Sequence, residues 1–240
     1  MTRFTRDHVG GLSWRPYKTE HEIEEECERL LRHYFDLERS AMLPCPLSTD
    51  DLTCLIEAAA ERLDLYADLA ADVEGLTEIS RHRRPFVRIN RLLSAAPYRH
   101  NRLRSTLAHE WYHLYFHAPL YQEEWKQLDL FSAREEVVHC TRASILATAP
   151  SDWREWQAAY GAGALLMPAS MLEHLARDLV RCYGTPPYQV GSQSGLAVIR
   201  RVASDFAVSQ DAARVRLMQQ GLLTSSSDHQ QPRLWTPEEA

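Results

Sequence analysis

The chain has 240 residues, which suits one ordinary domain or two small ones and allows a substantial buried core. A content of 45% hydrophobic and 25% charged residues excludes disordered, collagen-like and coiled-coil proteins, and no apolar run reaches the roughly 18 residues of a membrane span. The formal charge of −6 gives no reason to expect nucleic acid as a partner, and five cysteines without paired spacing predict reduced thiols in a cytoplasmic protein without a secretion signal.

The first part of the chain predicts an N-terminal arm, two helices and a small sheet. Residues 1–18 show no regular pattern, whereas apolar residues recur at helical spacing over residues 20–35. N-cap side chains at residues 48–51 begin a second predicted helix that continues to about residue 60. Strands or extended segments of a small sheet are then expected at residues 63–69, 75–79 and 85–90.

A long helix is predicted next, over residues 99–117, and it is expected to stop before Pro119 because proline interrupts helices. Residues 120–150 lack a clear period, so we expect a less regular connection that is partly helical around residues 134–147.

The last part of the chain predicts further helices, at residues 153–167 and 170–182, bounded by cap residues, prolines and glycine. Residues 195–222 have the pattern of a helix-turn-helix, and residues 225–240 have the composition of a mobile tail. The fold class expected from these elements is α+β and predominantly helical.

The charges are distributed unevenly. No acidic residue lies between Glu78 and Glu110, an interval that holds eight arginines, whereas residues 20–28 carry six glutamates. We expect these two surfaces to pair with each other or with water. The sharper alternative is an anionic peptide or nucleic acid that docks on the arginines.

The strongest chemical signal is an HExxH motif, His109-Glu110-Trp111-Tyr112-His113. Helix positions i and i+4 lie about 6 Å apart along the axis and about 40° apart around it, so two imidazoles reach one metal ion. Glu110 can face the open coordination position, where zinc lowers the pKa of a water towards about 7 and the carboxylate takes its proton. Apolar neighbours imply a buried helix, on which these three polar groups are costly unless a metal coordinates them. This favours a metal site over histidines that only form hydrogen bonds.

A third ligand is needed to complete such a site. His117 continues the i+4 series, but it rises too far along the helix axis to complete a tetrahedron easily. The HExxHxxGxxH pattern is absent, because Phe116 and Pro119 occupy its glycine and third-histidine positions, which excludes a metzincin. A carboxylate from a second helix remains, and Glu155 is the best placed by its context.

Two further segments make a family resemblance specific. Residues 102–110 resemble the Arg-x-x-Leu-Ala-His-Glu lead-in of ImmA/IrrE-family metallo-endopeptidases. Residues 155–168 are similar to the second signature of that family, a Glu-x-x-Ala helix followed by Leu-Leu-Met-Pro, and residues 203–223 are similar to its C-terminal segment. The resemblance covers roughly residues 86–223.

The resemblance implies a zincin-like metalloprotease core with a small β-sheet. It implies one Zn²⁺ per chain held by His109, His113 and Glu155, with Glu110 as the general base. It also implies a regulatory endopeptidase that hydrolyses a peptide bond in a protein partner, such as a helix-turn-helix repressor or an antitoxin-like regulator. The corresponding segments are an N-terminal arm, a zincin-like metalloprotease domain, a helical pair packed on the core and a flexible tail, at residues 1–18, 19–194, 195–223 and 224–240.

The sequence departs from the family pattern at three positions, one of which is Ala159, where asparagine or another polar residue is usual. Tyr112 stands where the family usually has glycine, and Gly161 stands where phenylalanine is common. We expect Tyr112 to narrow the cleft, and we expect Gly161 and Gly163 to permit close helix packing. Candidate donors to an oxyanion, each more readily explained by packing or by support of the site, are Tyr112, Tyr115, Tyr160 and His117.

The alternative function is a non-catalytic, metal-stabilised transcriptional regulator or DNA-binding module. The arginine interval and the helix-turn-helix pattern motivate it. The second helix of that pattern carries only two basic residues, Arg214 and Arg216, which favours packing on the core because DNA binding draws on more phosphate contacts.

Overall fold

The structure is a computed structural model that describes residues 3–8, 11–38, 41–127, 135–141 and 152–225. Its strands and helices in chain order are β1 (Arg3–Arg6), β2 (Trp14–Tyr17), α1 (Glu20–Tyr34), α2 (Thr49–Ala59), β3 (Arg62–Ala67), β4 (Val73–Ser80), β5 (Phe86–Asn90), α3 (Arg91–Ser94), α4 (His100–Tyr112), α5 (Ala118–Gln127), β6 (Glu135–Thr141), α6 (Trp153–Leu166), α7 (Ala169–Tyr183), β7 (Tyr188–Gln189), α8 (Gln193–Asp205), α9 (Gln210–Gln219) and β8 (Leu223–Thr224). These elements confirm the predicted α+β, predominantly helical class.

The predicted helices begin where side chains cap them. The Thr19 hydroxyl accepts from the Glu22 N–H, and the Glu22 carboxylate accepts from the Thr19 N–H, which closes a capping box at the start of α1. Ser48 and Asp51 form the same box at the start of α2. Asp152 accepts from the first turn of α6. These local signals explain why the sequence predicts α1, α2 and α6 closely.

The main sheet has the strand order β3-β5-β4-β6. β3 runs parallel to β5, whereas β4 is antiparallel to both β5 and β6. The three predicted strand segments are confirmed as β3, β4 and β5. The expectation of partial helix around residues 134–147 is wrong for 135–141, because these residues form β6, and residues 142–147 lie outside the described residues. β6 pairs with β4, a strand far away in the sequence. The local sequence pattern does not show this pairing, so it did not predict the strand.

The predicted stop before Pro119 is also wrong, since helical structure continues into α5. A π-helical turn over His113–His117 joins α4 to α5, and the Ala118 N–H donates to the His113 carbonyl. Pro119 is the second residue of α5 and lies just after the π-helical turn, which changes the backbone hydrogen-bond pattern at this point of the helix. The wider turn also removes the regular i−4 pairing with which a proline ring would collide.

Residues 1–18, expected as an arm without a regular pattern, contain the antiparallel pair of β1 and β2. The Ser13 N–H donates to Glu124 Oε1 over 2.8 Å, and Trp153 Nε1 donates to Asp7 Oδ1 over 3.0 Å. These contacts attach the hairpin to α5 and to the start of α6. Both contacts join residues that are distant in sequence, so no local sequence pattern predicts them.

The main core lies between the helices and the sheet, and it also includes the helical pair α8 and α9. Its fully buried residues include Ile23, Leu52, Ile89, Leu107, Trp111, Val198 and Leu217. The division into segments stays a prediction, and most of the predicted tail lies outside the described residues. None of the described helices combines the length and the apolar character that crossing a bilayer requires.

Candidate metal centre

The HExxH motif lies where α4 passes into the π-helical turn, and α6 packs against it. His109 belongs to α4, His113 opens the π-helical turn, and Glu155 lies in the first turn of α6. Both imidazoles are fully buried, and Glu155 is 9% exposed. Two helices that are separate in sequence therefore bring three ligand-type side chains together.

The three side chains converge through specific atoms. His109 Nε2 lies 3.2 Å from Glu155 Oε2, and His113 Nε2 lies 3.3 Å from Glu155 Oε1. The two Nε2 atoms are 3.0 Å apart. Ligands about 2.0–2.1 Å from a tetrahedral zinc ion are about 3.3 Å from one another, so these separations fit a shared zinc ion. Among the described residues, this is the one His/Cys/Asp/Glu group with three members close enough to hold a metal.

The protonation of the cluster suits a cation. Burial lowers the pKa of His113 and outweighs the opposite effect of the adjacent Glu155. Burial alone would raise the pKa of Glu155, but the adjacent His109 and His113 imidazoles reverse this effect and lower it well below 4.5. A neutral His113 imidazole and an ionised carboxylate are the forms that bind metal ions.

Glu110, the expected general base, is fully buried and packs against strand β4. The Thr77 hydroxyl donates to Glu110 Oε2 over 2.6 Å. A Cβ added to Gly75 would lie 2.8 Å from Glu110 Oε1, so a side chain at this position would displace the Glu110 carboxylate. The sheet therefore fixes the position of the Glu110 carboxylate.

His117, the third histidine of the helix, lies outside the ligand cluster. Its Nδ1 is 2.8 Å from His113 Nδ1, on the side of the His113 ring opposite the atom that faces Glu155. Its Nε2 is 3.2 Å from Gln157 Oε1. Burial lowers the pKa of His117 well below 6.5. A neutral, buried His117 contacts the cluster through His113.

The tyrosines considered as oxyanion donors have packing or hydrogen-bonding roles. The Tyr112 ring lies in the main core against Gly161, which replaces the expectation that it narrows the cleft. The Tyr160 hydroxyl donates to Glu24 Oε1 over 2.9 Å, and the Tyr115 ring packs on Trp111 with the centroids 5.0 Å apart.

Several residues of the arginine interval, of the acidic run and of the helix-turn-helix pattern form ion pairs. Within the arginine interval, Arg88 pairs with Glu78, Arg91 with Asp68 and Arg102 with Glu74, so these three arginines have acidic partners other than the run at residues 20–28. Arg216, on the second helix of the helix-turn-helix pattern, is 1% exposed and binds both carboxylate oxygens of Glu24 over 2.6 Å. That side chain is therefore not available to a DNA phosphate.

Sequence reasoning missed Gly75 and Thr77, which contact Glu110, and Gln157, which lies within hydrogen-bond distance of His117. Gln157 follows Glu155 by two positions and is buried, and a buried amide near a proposed ligand is a weak signal. Gly75 and Thr77 lie on β4, about thirty residues before Glu110, so only the packing of α4 on the sheet relates them to the site.

Comparison with known families gives a clear match. The family model of the IrrE N-terminal-like domain, Peptidase_M78, matches residues 61–218, which include α4, α6 and all of the proposed ligands. A comparison with the curated proteins gives no match.

Proposed function

Because the chain belongs to the Peptidase_M78 family of IrrE N-terminal-like domains, a metallopeptidase family, we propose that it is a zinc-dependent endopeptidase. The observation that carries the proposal is the convergence of His109 Nε2, His113 Nε2 and the Glu155 carboxylate from two helices, all within 4.8 Å of one another. Two imidazoles and one carboxylate are a ligand set typical of catalytic zinc.

Each residue of the candidate site has a chemical role in this proposal. Bound zinc would supply Lewis-acid chemistry, since it polarises a carbonyl and makes a water more acidic. Glu110 accepts a proton from the attacking water and returns it to the leaving amine nitrogen, as a general base and then a general acid. Thr77 holds Glu110 Oε2 through a 2.6 Å hydrogen bond and thereby orients the carboxylate. The burial of the histidines excludes competing water from the ligand atoms.

The substrate that we propose is a regulatory protein, a helix-turn-helix repressor or an antitoxin-like regulator. The resemblance of residues 102–110 and 155–168 to the ImmA/IrrE signatures supports this class of partner. The DNA-binding alternative has less support, because one of the two arginines of α9 is engaged by Glu24 inside the protein.

The test is a cleavage assay with the zinc-loaded protein and the repressor-type proteins encoded beside it. The Glu110→Gln variant keeps the shape of the side chain and removes the base, so it should retain zinc and lose cleavage. The matched control is Glu123→Gln on the exposed side of α5, which should cleave like the wild type. Equal cleavage by the wild type and Glu110→Gln would contradict the mechanism.

The same assay separates the remaining outcomes. Cleavage of unstructured peptides by the wild type alone, without cleavage of any repressor, would support the endopeptidase and contradict the proposed partner. Salt-dependent binding of duplex DNA that persists in Glu110→Gln, without any cleavage, would support the DNA-binding alternative instead.

A further inference from the structure

A chain of hydrogen bonds leads away from the ligand cluster through His113. His113 Nδ1 lies 2.8 Å from His117 Nδ1, and His117 Nε2 lies 3.2 Å from Gln157 Oε1. His113 and His117 are fully buried and Gln157 is 4% exposed, so bulk water does not compete for these contacts. The three side chains therefore depend on one another for their hydrogen bonds.

The direction of the chain follows from its last member. Gln157 Oε1 is a carbonyl oxygen and can only accept, so His117 Nε2 must donate to it and carries the ring proton. His117 Nδ1 then carries a lone pair, and His113 Nδ1 must donate to it. This leaves the lone pair of His113 on Nε2, the atom that faces Glu155.

The opposite orientation of the Gln157 amide would reverse every donor. His113 would then carry its proton on Nε2, where it could not bind a metal ion. One amide orientation is thus compatible with a metal site and the other is not.

We propose that His117 and Gln157 are positioning residues that fix the tautomer and the ring orientation of His113 as a metal ligand, an inference that rests on the proposed function. Histidine ligands usually donate their second N–H to a carboxylate or a carbonyl. Here a second histidine and an amide take that place. The other ligand histidine differs, because His109 Nδ1 has no hydrogen-bond partner among the described residues.

The packing around His117 holds this arrangement in place. The rings of Tyr112 and Trp153 meet the His117 ring edge to face, each with a centroid distance of 5.3 Å. The ring of His117 is therefore confined on two sides. Gln157 also belongs to α6, the helix that supplies Glu155, so one helix carries both the third ligand and the end of the hydrogen-bond chain.

The first test needs no variant. Long-range nitrogen–proton NMR spectra of the metal-free wild type should show His113 protonated on Nδ1 and His117 protonated on Nε2. A proton on Nε2 of His113 would overturn the proposal.

The second test measures zinc affinity by competition with a chelator. Gln157→Met keeps the length of the side chain and removes the acceptor, so zinc should bind about 10–100-fold more weakly. Gln157→Glu keeps an acceptor oxygen and should restore most of the affinity. The matched control is Gln220→Met, which removes another buried amide, one that bonds to Glu24 on α1, and should leave zinc affinity unchanged.

Equal zinc affinity in the wild type and Gln157→Met would overturn the proposal. A wild type that cleaves no peptide but shows the expected order of zinc affinities would contradict the peptidase activity and support the role of His117 and Gln157.

Discussion

The ring of Tyr112 lies directly over Gly161, so that a Cβ built on this glycine would be 2.0 Å from Tyr112 Cδ2. Tyr112 is fully buried between α4 and α6, the two helices that carry the candidate ligands. The family pattern that the sequence resembles has glycine in place of the tyrosine and commonly phenylalanine in place of the glycine. The two helices thus keep their contact while the large and the small side chain have exchanged sides.

Replacement of Gly161 should therefore lower the stability of the protein. Gly161→Ala forces a methyl group into the Tyr112 ring, and we expect the free energy of unfolding to fall by about 1–3 kcal/mol. Urea denaturation of the metal-free protein measures this change. Combination with Tyr112→Ala should cost less than the sum of the two single changes, because the added methyl group then has room.

Gly163 provides the control for this experiment. A Cβ at Gly163 meets no atom nearer than Arg216 Cδ at 3.5 Å, an ordinary contact. Gly163→Ala gains helix propensity of about 1 kcal/mol and should leave stability equal or higher. Equal effects of alanine at positions 161 and 163 would contradict the close contact with Tyr112.

A second prediction concerns the support of Glu110 by the sheet. Thr77→Val keeps the shape of the side chain and removes the hydrogen bond to the carboxylate. We expect kcat/KM for peptide cleavage to fall roughly ten-fold, which corresponds to the loss of a charged hydrogen bond of about 1.5 kcal/mol. Zinc content should not change. Thr77→Ser keeps the hydroxyl and should stay close to wild-type activity, and a similar loss in both variants would contradict the orienting role of Thr77.

The sequence predicted those features of the site that depend on local spacing. His109 and His113 are about one helical turn apart, so their spacing alone predicts that they share a helix face. Glu155 followed from its context and from the second family signature. Thr77 and Gln157 act on the site from a strand and from the partner helix, and a single sequence does not show which distant elements meet.

The fold elements that were predicted wrongly also depend on features that a local sequence pattern does not show. β6 pairs with the distant strand β4, and the β1–β2 hairpin segment is attached through Glu124 and Trp153, whereas α1 and α2 carry their own capping boxes. The predicted helix ended before Pro119 because proline usually interrupts a helix. The π-helical turn that accommodates Pro119 has no sequence signature of its own.

A third prediction is a pH dependence of the metal-free protein. Burial lowers the pKa of both His113 and His117 below 6.5 in the folded state. As the pH falls below about 6.5, the unfolded chain binds these protons and the folded chain does not, so the free energy of unfolding decreases. Urea denaturation with a chelator at about pH 7.5 and pH 5.5 measures the loss.

The His117→Asn variant shows whether the buried histidine causes this loss. It removes one of the two groups, so its stability should decrease less between the two pH values than that of the wild type. An equal decrease in both proteins would mean that the buried His117 ring does not contribute.

The central claim is that one zinc ion is held between α4 and α6. Crystals grown with one equivalent of zinc and measured at the zinc absorption edge test it most directly. A single anomalous peak is expected, about 2.0–2.2 Å from His109 Nε2, His113 Nε2 and a Glu155 carboxylate oxygen. A peak bound by other residues, or no peak at these three side chains, would contradict it.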